Sequence, residues 1–346
     1  TRWGYRATPA WLQAYDAGRL HPVSRLNEGF IRPQFPEQVV FSYYQASLVF
    51  DLIERDWGMD GILAMLDGYR RGHSNEEVFR EVLGQSPEDF DEVFDDFVQD
   101  RWGQQMAAVS GVSQPLVFSA APPPRRDLDA LRQASIQNPG SFQARLTFGQ
   151  ALYEAERFDE AEEEFRAALS LFPEYGGPNG PFRYLSAIHR KKGEDERAAR
   201  ALQQMGFLNE VLYQVHLDEA EIWRELADTA AAAEALEKAV EIVPFDTEVR
   251  LDLAGLYEGM NDMDGAVRER QAVLALGPTD RADAHYRLAA ALAAAGDKAG
   301  ARSQVLKALE IAPSFEAALE LLLELRGGGG SETGAGVAAP EEGTIG

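Results

Sequence analysis

Ala232-Ala233-Glu234-Ala235-Leu236-Glu237-Lys238-Ala239-Val240-Glu241-Ile242-Val243-Pro244 is the stretch that decides the fold. It sets a small residue at Ala232, an aliphatic at Leu236, a small residue at Ala239 and a proline at Pro244. The same phrase recurs as Ala161, Phe165, Ala168, Pro173, then Ala266, Arg270, Leu274, Pro278, then Ala301, Val305, Ala308, Pro313. Pro244, Pro278 and Pro313 are 34 and 35 residues apart, and Pro173 to Pro244 is 71, room for one copy that has lost its proline. Spacings of three and four put the phrase on one helix face, and proline, which lacks an N–H, closes the helix. A matching small residue lies twelve positions upstream of each copy's first alanine: Gly149 with Ala161, Ala220 with Ala232, Ala254 with Ala266, Ala289 with Ala301. Such pairs let two antiparallel helices approach closely.

A helical hairpin repeated at this period resembles the tetratricopeptide repeat, which implies hairpins stacked into a right-handed α-solenoid. The spacing predicts units at 142–175, 179–212, 213–246, 247–280 and 282–315. Asp127–Pro139 reads as a half repeat ahead of them, and Phe315–Arg326 as a capping helix that hides the last apolar face. Lys192-Gly193-Glu194-Asp195 and Ala295-Gly296-Asp297 mark turns inside repeats, with glycine in the left-handed cap. The acidic run Asp159-Glu160-Ala161-Glu162-Glu163-Glu164 reads as a solvated helix side. The Gly, Ser, Glu and Pro composition of 327–346 predicts a disordered tail that cradles no phosphate.

Residues 1–103 differ in kind: they hold Trp3, Trp11, Trp57 and Trp102, four of the five tryptophans, and do not continue the period. They are expected to form a small helical domain, joined to the repeats (127–326) by a linker at 104–126 that is stiff at Pro122-Pro123-Pro124. Thr8-Pro9 opens a short helix that stops at Gly18. Gln38–Trp57 is the longest expected helix, with Val39, Tyr43, Leu48 and Leu52 on an apolar face and Gly58 as its end, followed by Met59–Arg71. Ser74 with Glu77 forms a capping-box pattern, and Ser86-Pro87 opens a helix over Glu88–Trp102 with Phe90, Phe94 and Phe97 at helical spacing. Strand patterns are nearly absent, so the fold class expected is all-α.

Composition narrows the function. The 33 basic and 57 acidic residues give a net charge of −24, which opposes a phosphate backbone, so nucleic acid is not an expected partner. No apolar stretch reaches the length of a membrane span. Without cysteine there are no disulfides or thiolate ligands.

The segment Phe41-Ser42-Tyr43-Tyr44-Gln45-Ala46-Ser47-Leu48, continued by Leu52-Ile53-Glu54, Trp57-Gly58, Leu63-Ala64-Met65-Leu66 and Tyr69, resembles the helical C-terminal part of the peptidase MA-like gluzincins related to aminopeptidase N. The resemblance implies that Tyr43 hydrogen-bonds the oxyanion of a tetrahedral intermediate. It also implies a domain often followed by these repeats, in proteins typically periplasmic, secreted or membrane-associated. Tyr43 reads equally as a packed tyrosine with its hydroxyl at a rim. The zinc chemistry is missing from the chain itself. A gluzincin needs HExxH, and none of His21, His73, His189, His216 and His285 has a histidine four residues away. Asn27-Glu28-Gly29-Phe30 echoes the segment that carries the third zinc ligand, but no HExxH stands before it. No metal site or cofactor is therefore expected in this chain, and zinc is expected only if the full-length protein carries HExxH upstream of Thr1.

The first helix of each repeat lines a solenoid's inner surface. Partner-facing positions are expected at Gln143, Leu146, Gln150 and Tyr153, at Arg183, Ala187, Arg190 and Lys191, at Gln214, Leu217, Glu221 and Arg224, and at Leu251 and Tyr286. Arg183, Arg190, Lys191 and Lys192 form a basic cluster that fits a carboxylate or acidic segment, or else are ordinary solvated charges. The carboxylate clamp of some chaperone-binding repeats needs asparagine where this chain has Gln150 and Ala187, which excludes that partner class. Two functions stand open: a scaffold binding a protein or peptide, and the C-terminal portion of a zinc peptidase whose repeats position substrate or a complex partner.

Overall fold

A computed structural model describes residues 7–110 and 127–327. They are helical, with no strand among them, and fall into two compact units divided between Leu212 and Tyr213.

The first unit begins with α1 (Pro9–Asp16), whose N-cap Thr8 Oγ1 accepts from Trp11 N at 3.1 Å. After α2 (Leu26–Ile31) comes the long α3 (Gln38–Arg70), broken at Gly58, which takes φ 70° and ψ 179°. Positive φ is open to glycine at little cost, so the expected stop at this residue is a sharp bend within a longer element. The short α4 (Asn75–Val78) starts at the Ser74–Glu77 capping box, and Ser86 with Asp89 forms a second box at the head of α5 (Pro87–Val109). That helix runs past Trp102 and buries Met106, Ala108 and Val109, so the first six residues expected as linker are helical; Pro122-Pro123-Pro124 and 328–346 lie outside the described residues.

The expected face of α3 needs correction. Leu48 and Leu52 are buried, but so are Ser42 and Gln45, whereas Tyr43 is 57% exposed. Two local contacts turn the polar residues inward. Gln45 Nε2 donates to His21 O at 2.8 Å, and Gly29 of α2 sits so close to Ser42 that an added Cβ would meet its Oγ at 2.2 Å.

Helical hairpins fill the rest of the described residues. In the first unit α6 (Leu128–Gln137) precedes the hairpins α7 (Phe142–Glu154) with α8 (Phe158–Leu171) and α9 (Pro181–Lys192) with α10 (Asp195–Leu208). In the second are α11 (Tyr213–Glu225) with α12 (Thr229–Ile242), α13 (Thr247–Gly259) with α14 (Met263–Ala275), α15 (Arg281–Ala294) with α16 (Lys298–Ile311), and α17 (Glu316–Gly327). Within each unit the partners in a hairpin pack on each other and on the hairpin that follows, the nested order of a solenoid. Ala161, Ala232, Ala254, Ala266, Ala289 and Ala301 are fully buried at the close approaches. Turns inside the repeats share one left-handed residue: Gly193 and Gly296, as the sequence predicts, but also Glu156, Ala227 and Asn261 at φ 59°, 58° and 62°. On α17, Ala318 and Leu322 cover Ala289, Val305 and Ala308, as a capping helix should.

One apolar cluster runs through the first unit. It joins Trp11, Leu52, Phe90 and Trp102 to Phe142, Phe165, Phe172 and Ile188, with α5 packed on both α7 and α8.

Candidate partner-binding surface

In the first unit the inner-face residues are mostly engaged. Leu146 is core, 1% exposed. Gln143 Nε2 donates to Thr147 Oγ1 at 2.7 Å, and Gln150 Nε2 to Asn179 O at 3.3 Å. The Tyr153 ring lies edge-on to Tyr184, centroids 5.3 Å apart, and beside Phe158. Arg183 and Ala187 are half-buried on α9, and Lys191 is exposed.

The basic cluster has its own counter-charges. Arg190 Nη1 reaches Asp195 Oδ1 at 3.0 Å, and Lys192 Nζ reaches Asp159 at 2.5 Å and Glu162 at 2.6 Å. Those hydrogen bonds hold the Lys192 ammonium above its usual range. The acidic run on α8 is thus partly a docking edge for α9, with Glu162 buried.

In the second unit Gln214 Nε2 donates to Asp218 at 2.8 Å, and Arg224 Nη1 crosses from α11 to Asp252 of α13 at 3.1 Å. Leu217 is half-buried against the Ala220 and Leu236 cluster, and Glu221 is exposed. The Tyr286 ring packs on Phe315, 5.0 Å between centroids.

Leu251 is different. It is 37% exposed and lines a groove of about 420 Å³ with Thr247 of α13, Arg270 and Val273 of α14, Pro278 and Thr279 of the following turn, and Asp283 and Arg287 of α15. The floor is aliphatic, from Leu251, Val273 and Pro278. The guanidinium groups at its edge are paired: Arg270 Nε and Nη2 with Glu258 at 2.9 and 3.0 Å, and Arg287 Nε with Asp283 at 2.6 Å. The arrangement suits an apolar side chain with polar groups around it. Of the groove's lining residues, only Leu251 is among the positions expected to face a partner; the available signal for the rest was Arg270, a charge where the other copies carry Phe165, Leu236 and Val305.

Tyr43 lies elsewhere, on α3. Its ring meets Phe30 edge-on at 4.8 Å, and it shares an exposed apolar stripe with Val40 and Phe50, followed beyond Gly58 by Met59, Leu63 and Leu66. Among the described residues no three His, Asp or Glu side chains gather as metal ligands. Glu28 instead pairs with Arg25, 2.7 Å away, whose hydrogen bond holds its carboxyl below the usual range.

Residues 128–176 match the family model of the tetratricopeptide repeat. Period, close-contact pairs and nested hairpins in the rest of 127–327 are of the same kind, so these residues form helical hairpin repeats in an all-α, solenoid-type fold. No curated protein gives a match. Among solved structures the chain is similar to YrrB, described as a TPR protein with an unusual peptide-binding site, at 20% identity over 56% of this chain and 98% of that one, TM-score 0.37. It is similar to pilF of Pseudomonas aeruginosa at 18% identity over 56% and 86%, TM-score 0.31. A third is the Naa15/Naa10 complex bound to HypK-THB, at 14% identity over 67% and 33%, TM-score 0.48.

Proposed function

We propose that this chain is a protein-binding scaffold that seats an extended polypeptide segment along the first helices of its repeats, with an apolar side chain of the partner in the groove at Leu251. The observation that carries the reading is the groove itself: an aliphatic floor open to solvent, edged by the paired Arg270 and Arg287 and by the carboxylates of Glu248 and Asp280. A cleft of that kind gains from desolvating an apolar group, and its paired guanidinium groups lose little on being covered. Arg183, Arg190 and Lys191, in the first unit, form a patch of their own that suits an acidic stretch. Peptides selected by display against the protein test the reading. Leu251→Glu is expected to weaken their binding about tenfold or more, while Leu323→Glu, on the exposed side of α17, leaves it unchanged. Equal binding by both variants removes the groove from the account.

A second reading rests on α3. The Phe41–Leu48 segment resembles a gluzincin, and Tyr43 stands on an exposed apolar stripe of the kind that a partner surface covers. On this reading the full-length protein is a zinc peptidase whose HExxH lobe covers that stripe, with the repeats holding substrate or a complex partner. Zinc content and proteolysis by the full-length gene product decide it; a reading frame without HExxH eliminates it.

A further inference from the structure

A cavity of about 340 Å³ opens in the first unit between α1, the chain that follows it, and α5, remote in sequence from every repeat. Asp16, Asp91 and Asp95 line it, and no lining residue is Lys or Arg. Each carboxylate takes a hydrogen bond from a neutral donor: Asp16 from Ser110 Oγ at 2.7 Å, Asp91 from Ser24 N and Oγ at 2.8 and 2.6 Å, and Asp95 from the Tyr15 hydroxyl. One or two neutral donors leave a carboxylate with acceptor capacity to spare. Three carboxylates around one hollow, Asp16 and Asp95 exposed and Asp91 half-buried, set up a negative potential that no Lys or Arg of the wall cancels; His21 is the one basic side chain of the lining.

A second observation, independent of charge, falls on the same wall. Gln45 is 1% exposed, and its Nε2 is committed to His21 O, yet its Oε1 accepts from nothing in the protein. Buried amide oxygens are almost always paired, so this one marks a place for an N–H donor. The Tyr15 ring and Phe94 add aromatic surface to the lining. Burial, with the Asp95 hydrogen bond, pushes the Tyr15 phenol well above its usual range, so it stays neutral and donating.

We propose that this cavity binds an organic cation, a primary ammonium or guanidinium at the end of an aliphatic chain, with its N–H groups on Asp91, Asp95 and Gln45 Oε1 and its stem along Tyr15 and Phe94. A bare metal ion is the poorer fit, because these carboxylates do not converge as ligands do and the hollow is many times an ion's volume. Aromatic faces, by contrast, attract organic cations. The cation comes either from a polypeptide side chain or from a free polyamine, and both present the same chemistry.

Calorimetric titration of the whole chain with N-acetyl-arginine methylamide, with N-acetyl-lysine methylamide, with spermidine and with the neutral isostere N-acetyl-citrulline methylamide tests the proposal. Saturable binding of at least one cationic probe is expected, weakening as salt rises, with the citrulline probe at least tenfold weaker. Binding by the amino-acid amides alone assigns the site to a polypeptide side chain; binding by spermidine alone assigns it to a free polyamine. Gln99→Lys, at an exposed position on the cavity rim, places an ammonium of the protein's own beside the carboxylates and is expected to abolish binding with the fold intact by circular dichroism. Asp91→Asn is expected to weaken binding about tenfold. Absence of saturable binding by any cation, equal binding of the citrulline probe, or unchanged binding by folded Gln99→Lys overturns the proposal.

Discussion

Arg270 and Glu258 face each other through two parallel hydrogen bonds, Nε to Oε1 at 2.9 Å and Nη2 to Oε2 at 3.0 Å, with the Arg270 side chain only 6% exposed. The guanidinium stands where the other repeats carry Phe165, Leu236 and Val305. A buried cation is tolerable only while its partner is present. Glu258→Ala is therefore expected to cost about 2–4 kcal/mol, whereas Arg270→Leu, which restores the repeat's usual residue, should change stability by less than about 1 kcal/mol. Thermal denaturation of both variants checks the asymmetry, and equal losses would contradict it.

Gly149 has no room for a methyl group. A Cβ there would sit 2.9 and 3.1 Å from ring carbons of Phe165, which is fully buried and stacked on Tyr184 with centroids 4.9 Å apart. Held on both sides, the ring cannot retreat. Gly149→Ala should destabilise the first unit by about 1–3 kcal/mol, read as a lower melting temperature.

Ala227 pays for a turn that Gly193 and Gly296 make freely. All three occupy the same place in their repeats with positive φ, 58°, 72° and 87°. A left-handed alanine costs about 1–2 kcal/mol, offset by the ~0.5–1 kcal/mol of backbone entropy that glycine loses on folding. Ala227→Gly is expected to raise stability by up to about 1 kcal/mol, and a lowered melting temperature would refute the strain.

Tyr213 and Asp246 share a hydrogen bond of 2.6 Å that has an acid limit and an alkaline one. Tyr213 together with backbone donors holds the Asp246 carboxyl below its usual value, so its contribution is full at neutral pH and is lost as pH falls below about 4. Burial and Asp246 raise the Tyr213 phenol to about 12, so that contribution persists below the ordinary value near 10 and is lost as pH climbs through about 12. Tyr213→Phe should abolish the alkaline loss. It should only shrink the acid one, because Asp246 still accepts from Glu248 N and Val249 N at the head of α13. Melting temperature against pH for the two proteins is the measurement.

What could be read from sequence was what is local and repeated. Ala232, Ala239 and Pro244 act within one hairpin, and four copies made the rule visible; the Ser74 and Ser86 caps are likewise contained within four residues. Burial of Ser42 and Gln45 depends on His21 and Gly29, which approach α3 only after folding, so the apolar pattern alone turned the helix toward Tyr43. The groove escaped for the same reason. Thr279 and Asp283 meet Leu251 across two helices, and nothing near any of them announces the meeting. Arg270 was the one irregularity that pointed there.

The packing of α5 on α7 and α8 bears on how this protein is handled at the bench. Residues 111–126 look like a natural place to cut, yet a fragment beginning at Asp127 would strip Phe142, Phe165 and their neighbours of one flank of their shelter. Its newly wetted aromatic surface would favour self-association. Solubility, more than loss of helix, would be the first casualty of severing the chain at that point.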